Sequence, residues 1–134
     1  MIIDATNSIV GRLGTVVAKE VLRGREVKIV NSEKAIVIGD PKLILKRSLE
    51  KRKLGTGVQK GPHYPSKPDM MLKRSIRGML PWKRTSGREA YKRIKCFIGV
   101  PELLKEEKTV SFANKKKPLK FITLGRLSSL IRQK

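Results

Sequence analysis

The residue types that most often carry catalysis are nearly absent from this chain, which has one histidine, His63, and one cysteine, Cys96, in 134 residues. A lone histidine builds neither an HExxH zinc site nor a histidine cluster, and a lone cysteine excludes an internal disulfide and any multi-cysteine zinc site. No metal is expected. A Ser-His-Asp arrangement would need His63, which stands in a Gly/Pro-rich stretch, so exposure on a loop or a contact with a base or phosphate suits it better than catalysis. Cys96 lies in the apolar run Ile94-Lys95-Cys96-Phe97-Ile98, where a thiol behaves as a small buried hydrophobe. The turn from Asp4 to Arg12 joins a strand to a helix start, a place that favours phosphate. It carries neither GxGxxG nor GxxxxGK[ST], so no nucleotide cofactor is expected. Gly11 and Gly14 read as allowing the helix to approach the sheet closely, and Arg12 stands near the helix start, where it can meet an RNA phosphate.

The chemistry that the sequence does offer is cationic. Lys and Arg number 32 against 11 Asp and Glu, a formal net charge of +21. Charge of this size opposes compaction unless a polyanion neutralises it, and nucleic acid is the first such partner. An anionic membrane surface would call for a basic amphipathic helix with bulky apolar residues opposite, or a lipidation signal, and the chain begins with neither. The excess is also uneven. Residues 42–95 hold 17 Lys and Arg against the three acids Glu50, Asp69 and Glu89, with Tyr64 and Trp82 interleaved. Ordinary solvated helix faces mix Glu with Lys for local pairing. This segment does not, and one continuous basic surface with stacking groups is the reading that accounts for it.

Hydrophobic residues make up 39% of the chain and 11 glycines add to the apolar share, which fits a globular domain rather than a basic tail. A chain this long buries about two thirds of its unfolded surface in one core, so one domain over 1–134 is expected, with a C-terminal extension from about 102. No apolar run reaches the roughly 18 to 20 residues that cross a bilayer. Met-Ile-Ile-Asp does not read as an export leader, so a cytoplasmic location is expected.

The elements that must position the cations follow from periodicity. Ile2-Ile3 reads as a strand, with Asn7 and Ser8 as caps for a helix over Ile9–Arg23 stopped by Gly24. Val27, Ile29 and Val30 form a second strand and 35–38 a third. The four residues between them are too few for a parallel crossover, so these two are not directly consecutive parallel partners. Asp40-Pro41 starts a helix to about Leu54 with a narrow stripe of Ile44, Leu45 and Leu49. An extended loop covers 55–68, Asp69 caps a helix whose Leu72, Ile76, Met79 and Leu80 face the core, and Pro81 ends it. Ser86-Gly87-Arg88-Glu89 fits a capping box, Phe97–Val100 reads as a last core strand, and a closing helix runs from Thr123 to Arg132. Strands alternating with helices argue for an α/β layered fold.

Three segments, IDATNSIVGRLGTVVAKEVLRG from Ile3, VKIVNSEKAIVIGD from Val27 and SIRGMLPWKRTSGREAYKRIKCFIGVP from Ser75, resemble the universal L-thirteen family of large ribosomal subunit proteins, in its compact archaeal form. The resemblance covers most of residues 2–101. It implies a three-layer α/β/α domain on a mainly parallel four-stranded sheet, large-subunit ribosomal RNA and neighbouring ribosomal proteins as partners, a part in subunit assembly, and no cofactor. Either 35–38 belongs to that sheet or it is a side addition and a strand near 57–64 takes its place. The family's basic segment maps onto Lys46, Arg47, Lys51, Arg52, Lys60, Lys67, Lys73, Arg74, Arg77, Lys83, Arg84 and Arg88. Together with Arg12, His63 and Trp82, these are the residues expected to touch RNA. A nucleotide-dependent enzyme and a general DNA-compacting protein are the rival readings. The first lacks its phosphate motifs, and the second sits poorly with a long irregular basic loop.

Overall fold

The computed structural model describes residues 1–54, 61–113 and 118–133. Its centre is a parallel sheet of short strands: β1 (Ile2–Asp4), β2 (Val27–Val30), β4 (Ile94–Cys96) and β5 (Thr109–Ser111), in the order β4-β2-β1-β5. Ile3 lies beside Ile29 on one side and Val110 on the other. In keeping with the short link 31–34, which excludes a parallel crossover, β3 (Ile36–Ile38) is not a parallel partner of β2. It pairs antiparallel with β6 (Phe121–Thr123) in a separate ribbon, Val37 opposite Ile122, so this run is the side addition. Of the alternative strand near 57–64, residues 57–60 lie outside the described residues, and 61–64 form no strand.

Because alternate strand residues face opposite ways, Ile3, Val27, Ile29 and Ile94 turn to one side and join the main core. There they meet α1 (Val10–Leu22), α3 (Pro68–Arg77) and α4 (Thr85–Lys92) through Leu13, Val17, Val21, Leu72, Ile76 and Ala90. Each large apolar side chain buried this way contributes about 1.5–3 kcal/mol. The opposite face is covered thinly: Ile2 and Val30 pack on Phe97 and on Leu104 of the short helical turn Glu102–Leu104. A further cluster gathers Ile122, Leu127 and Ile131 with Ile44, Leu45 and Leu49. It fastens α5 (Leu124–Arg132) and α2 (Pro41–Lys53) to the ribbon. The stripe on α2 is therefore real but shallow, since no residue of that helix is fully buried.

The helix ends show where local reading and packing part. Asp40 caps α2 as expected, its side chain accepting from the Lys42 N–H at 3.0 Å. Gly24, at φ 92°, donates to Val21 O while Arg25 N–H reaches Glu20 O, a Schellman end to α1. Neither Asn7 nor Ser8 caps α1, however. Its cap position is Ile9 with no side-chain bond, because Asn7 is drawn into the left-handed region by the tight turn after β1. Asp69 falls inside the first turn of α3, after Lys67 and Pro68, and the capping box at Ser86 does not form because α4 begins at Thr85. The helix ahead of Pro81 stops at Arg77, and Met79 is 40% exposed rather than in the core. Gly14 serves a helix contact, not the sheet: a Cβ there would press on the Met79 side chain and Ile76, whereas Gly11 faces open space.

The last core strand is Ile94–Cys96 and not Phe97–Val100. Phe97 N–H still reaches Ile29 O, but Gly99 at φ 69° turns the chain, its N–H and carbonyl bound to Glu33 and Asn31. The edge strand β5 leaves no mark in the sequence pattern, because Thr109-Val110-Ser111 is exposed throughout and offers one apolar residue to a periodicity argument.

Candidate nucleic-acid interface

The expected RNA-contacting residues fall on three helices and the links between them. On α2, Lys46, Arg47, Lys51 and Arg52 are all exposed. Lys67 is exposed just before α3; Lys73, Arg74 and Arg77 ride on α3 itself; Lys83 and Arg84 are exposed in the following link, and Arg88 on α4. Arg12 is exposed in the first turn of α1. Lys60 lies outside the described residues.

Aromatic rings, not carboxylates, hold the arginines of α3. Arg74 stands 4.1 Å from the centre of the Tyr64 ring and its Nη1 donates to the His63 carbonyl at 2.7 Å. Arg77 lies 4.0 Å over Trp82, which meets Tyr91 edge to face with centroids 5.2 Å apart, and Lys73 Nζ stands 4.8 Å over Tyr91. Arg88 Nε donates to the Trp82 carbonyl at 3.2 Å. Each pair fixes a cation without cancelling its charge. Between described residues the ion pairs formed are Arg23–Glu20 and Arg25–Glu20, both at the far end of α1.

Two concavities flank α3. One, of about 450 Å³, brings Lys51 and Arg52 of α2 to face Tyr64 and Arg74 over an apolar floor that includes Ile44 and Met71. The other, about 290 Å³ and open, lies among Arg74, Arg77, Gly78, Leu80 and Trp82. The structure thus joins the cations of α2 to those of α3, and Arg77 to Trp82. Among the described residues His63 takes part through its carbonyl, which accepts from Arg74. Tyr91 belongs to the site as well, beneath Trp82 and Lys73. Nothing in the local sequence singles it out, and only the fold shows it supporting Trp82. Burial pushes its hydroxyl above the ordinary value against the pull of Arg77.

Elsewhere, Cys96 packs half-buried against the core, and burial pushes its thiol up to about 12. It stays protonated at neutral pH and is a poor nucleophile. Among the described residues no group of three His, Cys, Asp or Glu could hold a metal ion, and no helix is long and apolar enough to cross a membrane.

Fold and site together define a class: an α/β protein on a parallel four-stranded sheet that presents a broad cationic face. The family profile of ribosomal protein L13 matches residues 1–103. Over 133 residues the chain is 42% identical to the large ribosomal subunit protein uL13 of Methanopyrus kandleri, covering 95% of this chain and 83% of that one. With the uL13 of Methanosarcina barkeri the identity is 45% over 132 residues, 95% of this chain and 94% of the other. With that of Methanocaldococcus jannaschii it is 42% over 130 residues, 95% and 93%. The chain belongs to the ribosomal protein L13 family, whose members are structural and not enzymatic.

Proposed function

We propose that this chain is a structural constituent of the large ribosomal subunit, acting in the cytoplasm, and that it binds large-subunit ribosomal RNA through the Lys and Arg residues of 42–95 and supports subunit assembly. The observation that carries the reading is the cationic surface of α2, α3 and the links, in which Arg74, Arg77 and Arg88 are held by rings and carbonyls and keep their charge. Such residues neutralise phosphates and release counterions, joining separate RNA helices without reading a base sequence. Arginine adds a planar fork for phosphate and a plane for stacking. On this reading the whole chain, 1–134, acts as one ribosomal-protein domain, and its partners are ribosomal RNA and neighbouring large-subunit proteins.

The test is a parallel salt titration of binding to large-subunit ribosomal RNA, an unrelated RNA of equal length and duplex DNA. All three affinities should fall with salt in the manner of several phosphate contacts, with ribosomal RNA keeping an advantage at high salt. Superimposed curves would reduce the protein to a general nucleic-acid binder.

A further inference from the structure

Nothing among the described residues requires Gly78 to lack a side chain. Its backbone, φ −64° and ψ −17°, is ordinary right-handed helix that any residue adopts. Among the described residues a Cβ at this position would meet only Ser75 O at 3.5 Å, a normal contact. Gly87 is the opposite case, since a Cβ there would lie on the Pro81 carbonyl. Glycine at the end of a helix usually earns its place through a left-handed conformation, which Gly78 does not adopt. What distinguishes it is location. Gly78 is exposed and lines both concavities, as Arg74 does.

We infer that the groove at Gly78 receives a single RNA nucleotide turned out of its stack, and that the missing side chain lets it reach the main chain. The inference rests on the RNA-binding reading above. Its chemistry is that of the walls. The Arg77 guanidinium lies 4.0 Å over Trp82 and both line the groove, so that a base entering it can extend the stack. Arg74, fixed by Tyr64 and the His63 carbonyl, offers its charge to the attached phosphate. A fully paired helix laid across this face would touch phosphates without entering a groove of 290 Å³. Only an unpaired base can be splayed into it.

The experiment uses the full chain with a large-subunit ribosomal RNA transcript, and a perfectly paired RNA duplex as control. Gly78→Leu fills the groove and removes no cation. It should fold normally and bind the transcript at least tenfold more weakly, with an unchanged slope of log affinity against log salt and duplex binding untouched. Trp82 is the sole tryptophan, so its fluorescence reports on the groove directly. The transcript should quench it in the wild type and the duplex should not. A folded Gly78→Leu that binds the transcript like wild type overturns the inference, as does an equal loss for transcript and duplex. Should Gly78→Leu fail to fold, Gly78→Ala and the quenching decide, and absent quenching with transcript bound overturns it. If wild type does not prefer the transcript to an unrelated RNA at high salt, the RNA-binding reading falls first and this one with it.

Discussion

The same chain holds arginine in two ways. At the end of α1, Arg23 and Arg25 lie 2.8 and 2.7 Å from the two carboxylate oxygens of Glu20, whose side chain is 12% exposed. On α3, Arg74 and Arg77 lie over Tyr64 and Trp82 with no carboxylate within ion-pair distance among the described residues. The first arrangement cancels one of the two positive charges and ties off a helix end. The second restricts the side chain and leaves the charge to face outward. Arginine thus becomes structural or interactive according to whether its partner is an anion or a ring.

The largest effect should come from the support under the second arrangement. Gly87 is buried and lets the Pro81–Trp82 link pass directly over α4. Gly87→Ala drives a methyl group into backbone that cannot swing aside, and should cost about 2–3 kcal/mol, lowering Tm by roughly 10 °C in a thermal melt. A melt like wild type would mean that the link rests on α4 less tightly than the geometry requires.

Next in size is a charge reversal on each side of the comparison. Arg77→Glu should weaken ribosomal RNA binding about tenfold or more and flatten the salt slope by about 1 or more, with thermal stability little changed; Arg84→Glu should act in the same direction. Arg23→Glu should do the reverse, leaving RNA affinity nearly intact while setting a second carboxylate beside Glu20 at a cost of about 1 kcal/mol. Equal losses of affinity for Arg23→Glu and Arg77→Glu would abolish the distinction between the two regions.

This distinction is the part that sequence could not supply. Residue types along 42–95 were enough to foresee a cationic surface, because charge is a property of composition. Asp40-Pro41 was enough to begin α2, because capping is local. The four-residue link at 31–34 was enough to exclude a parallel pairing of β3 with β2, because a parallel crossover needs a longer connection. Which ring lies under which guanidinium depends on bringing 64, 82 and 91 around α3, and nothing near Arg77 announces Trp82 as a support rather than a surface stacker. The same holds for β5, whose exposed residues pair with β1 from the other end of the chain, and for Gly78, whose purpose lies outside the molecule. Caps failed at Asn7, Asp69 and Ser86 because the chain's entry into each helix is set by its packing, which overrides the preference of a single side chain.

A smaller effect sharpens the anionic side. Glu20→Gln removes both ion pairs, but the arginine side chains are 66% and 65% exposed, so solvent screening limits the loss to about 1 kcal/mol or less. That loss should shrink in high salt, since the interaction is one of screened surface charges. Denaturant unfolding of wild type and variant at low and high ionic strength measures it directly, and a difference independent of salt would assign Glu20 to packing instead.

The smallest effect belongs to Asp4, a carboxylate held by dipoles instead of guanidinium groups. Burial alone would raise its pKa. The Thr6 hydroxyl and N–H and the Asn31 amide, all donating to Oδ1 at 2.7–3.0 Å, outweigh burial with the help of Lys34 and hold it below 3.8. A lowered folded value means that the ionised form favours the native state. Its contribution is complete above the unfolded value and disappears as pH falls from about 4 through the folded one. Asp4→Asn should therefore cost several tenths of a kcal/mol at pH 6 and draw level with wild type as the medium becomes more acid. Because short dipolar bonds in a half-buried turn are weakly screened, this difference should persist in high salt while that of Glu20 fades. Unfolding measured at pH 6 and pH 3, each with and without added salt, separates the two carboxylates. If Asp4 responded to salt as Glu20 does, it would be held by the surrounding positive charge and not by the turn that closes β1.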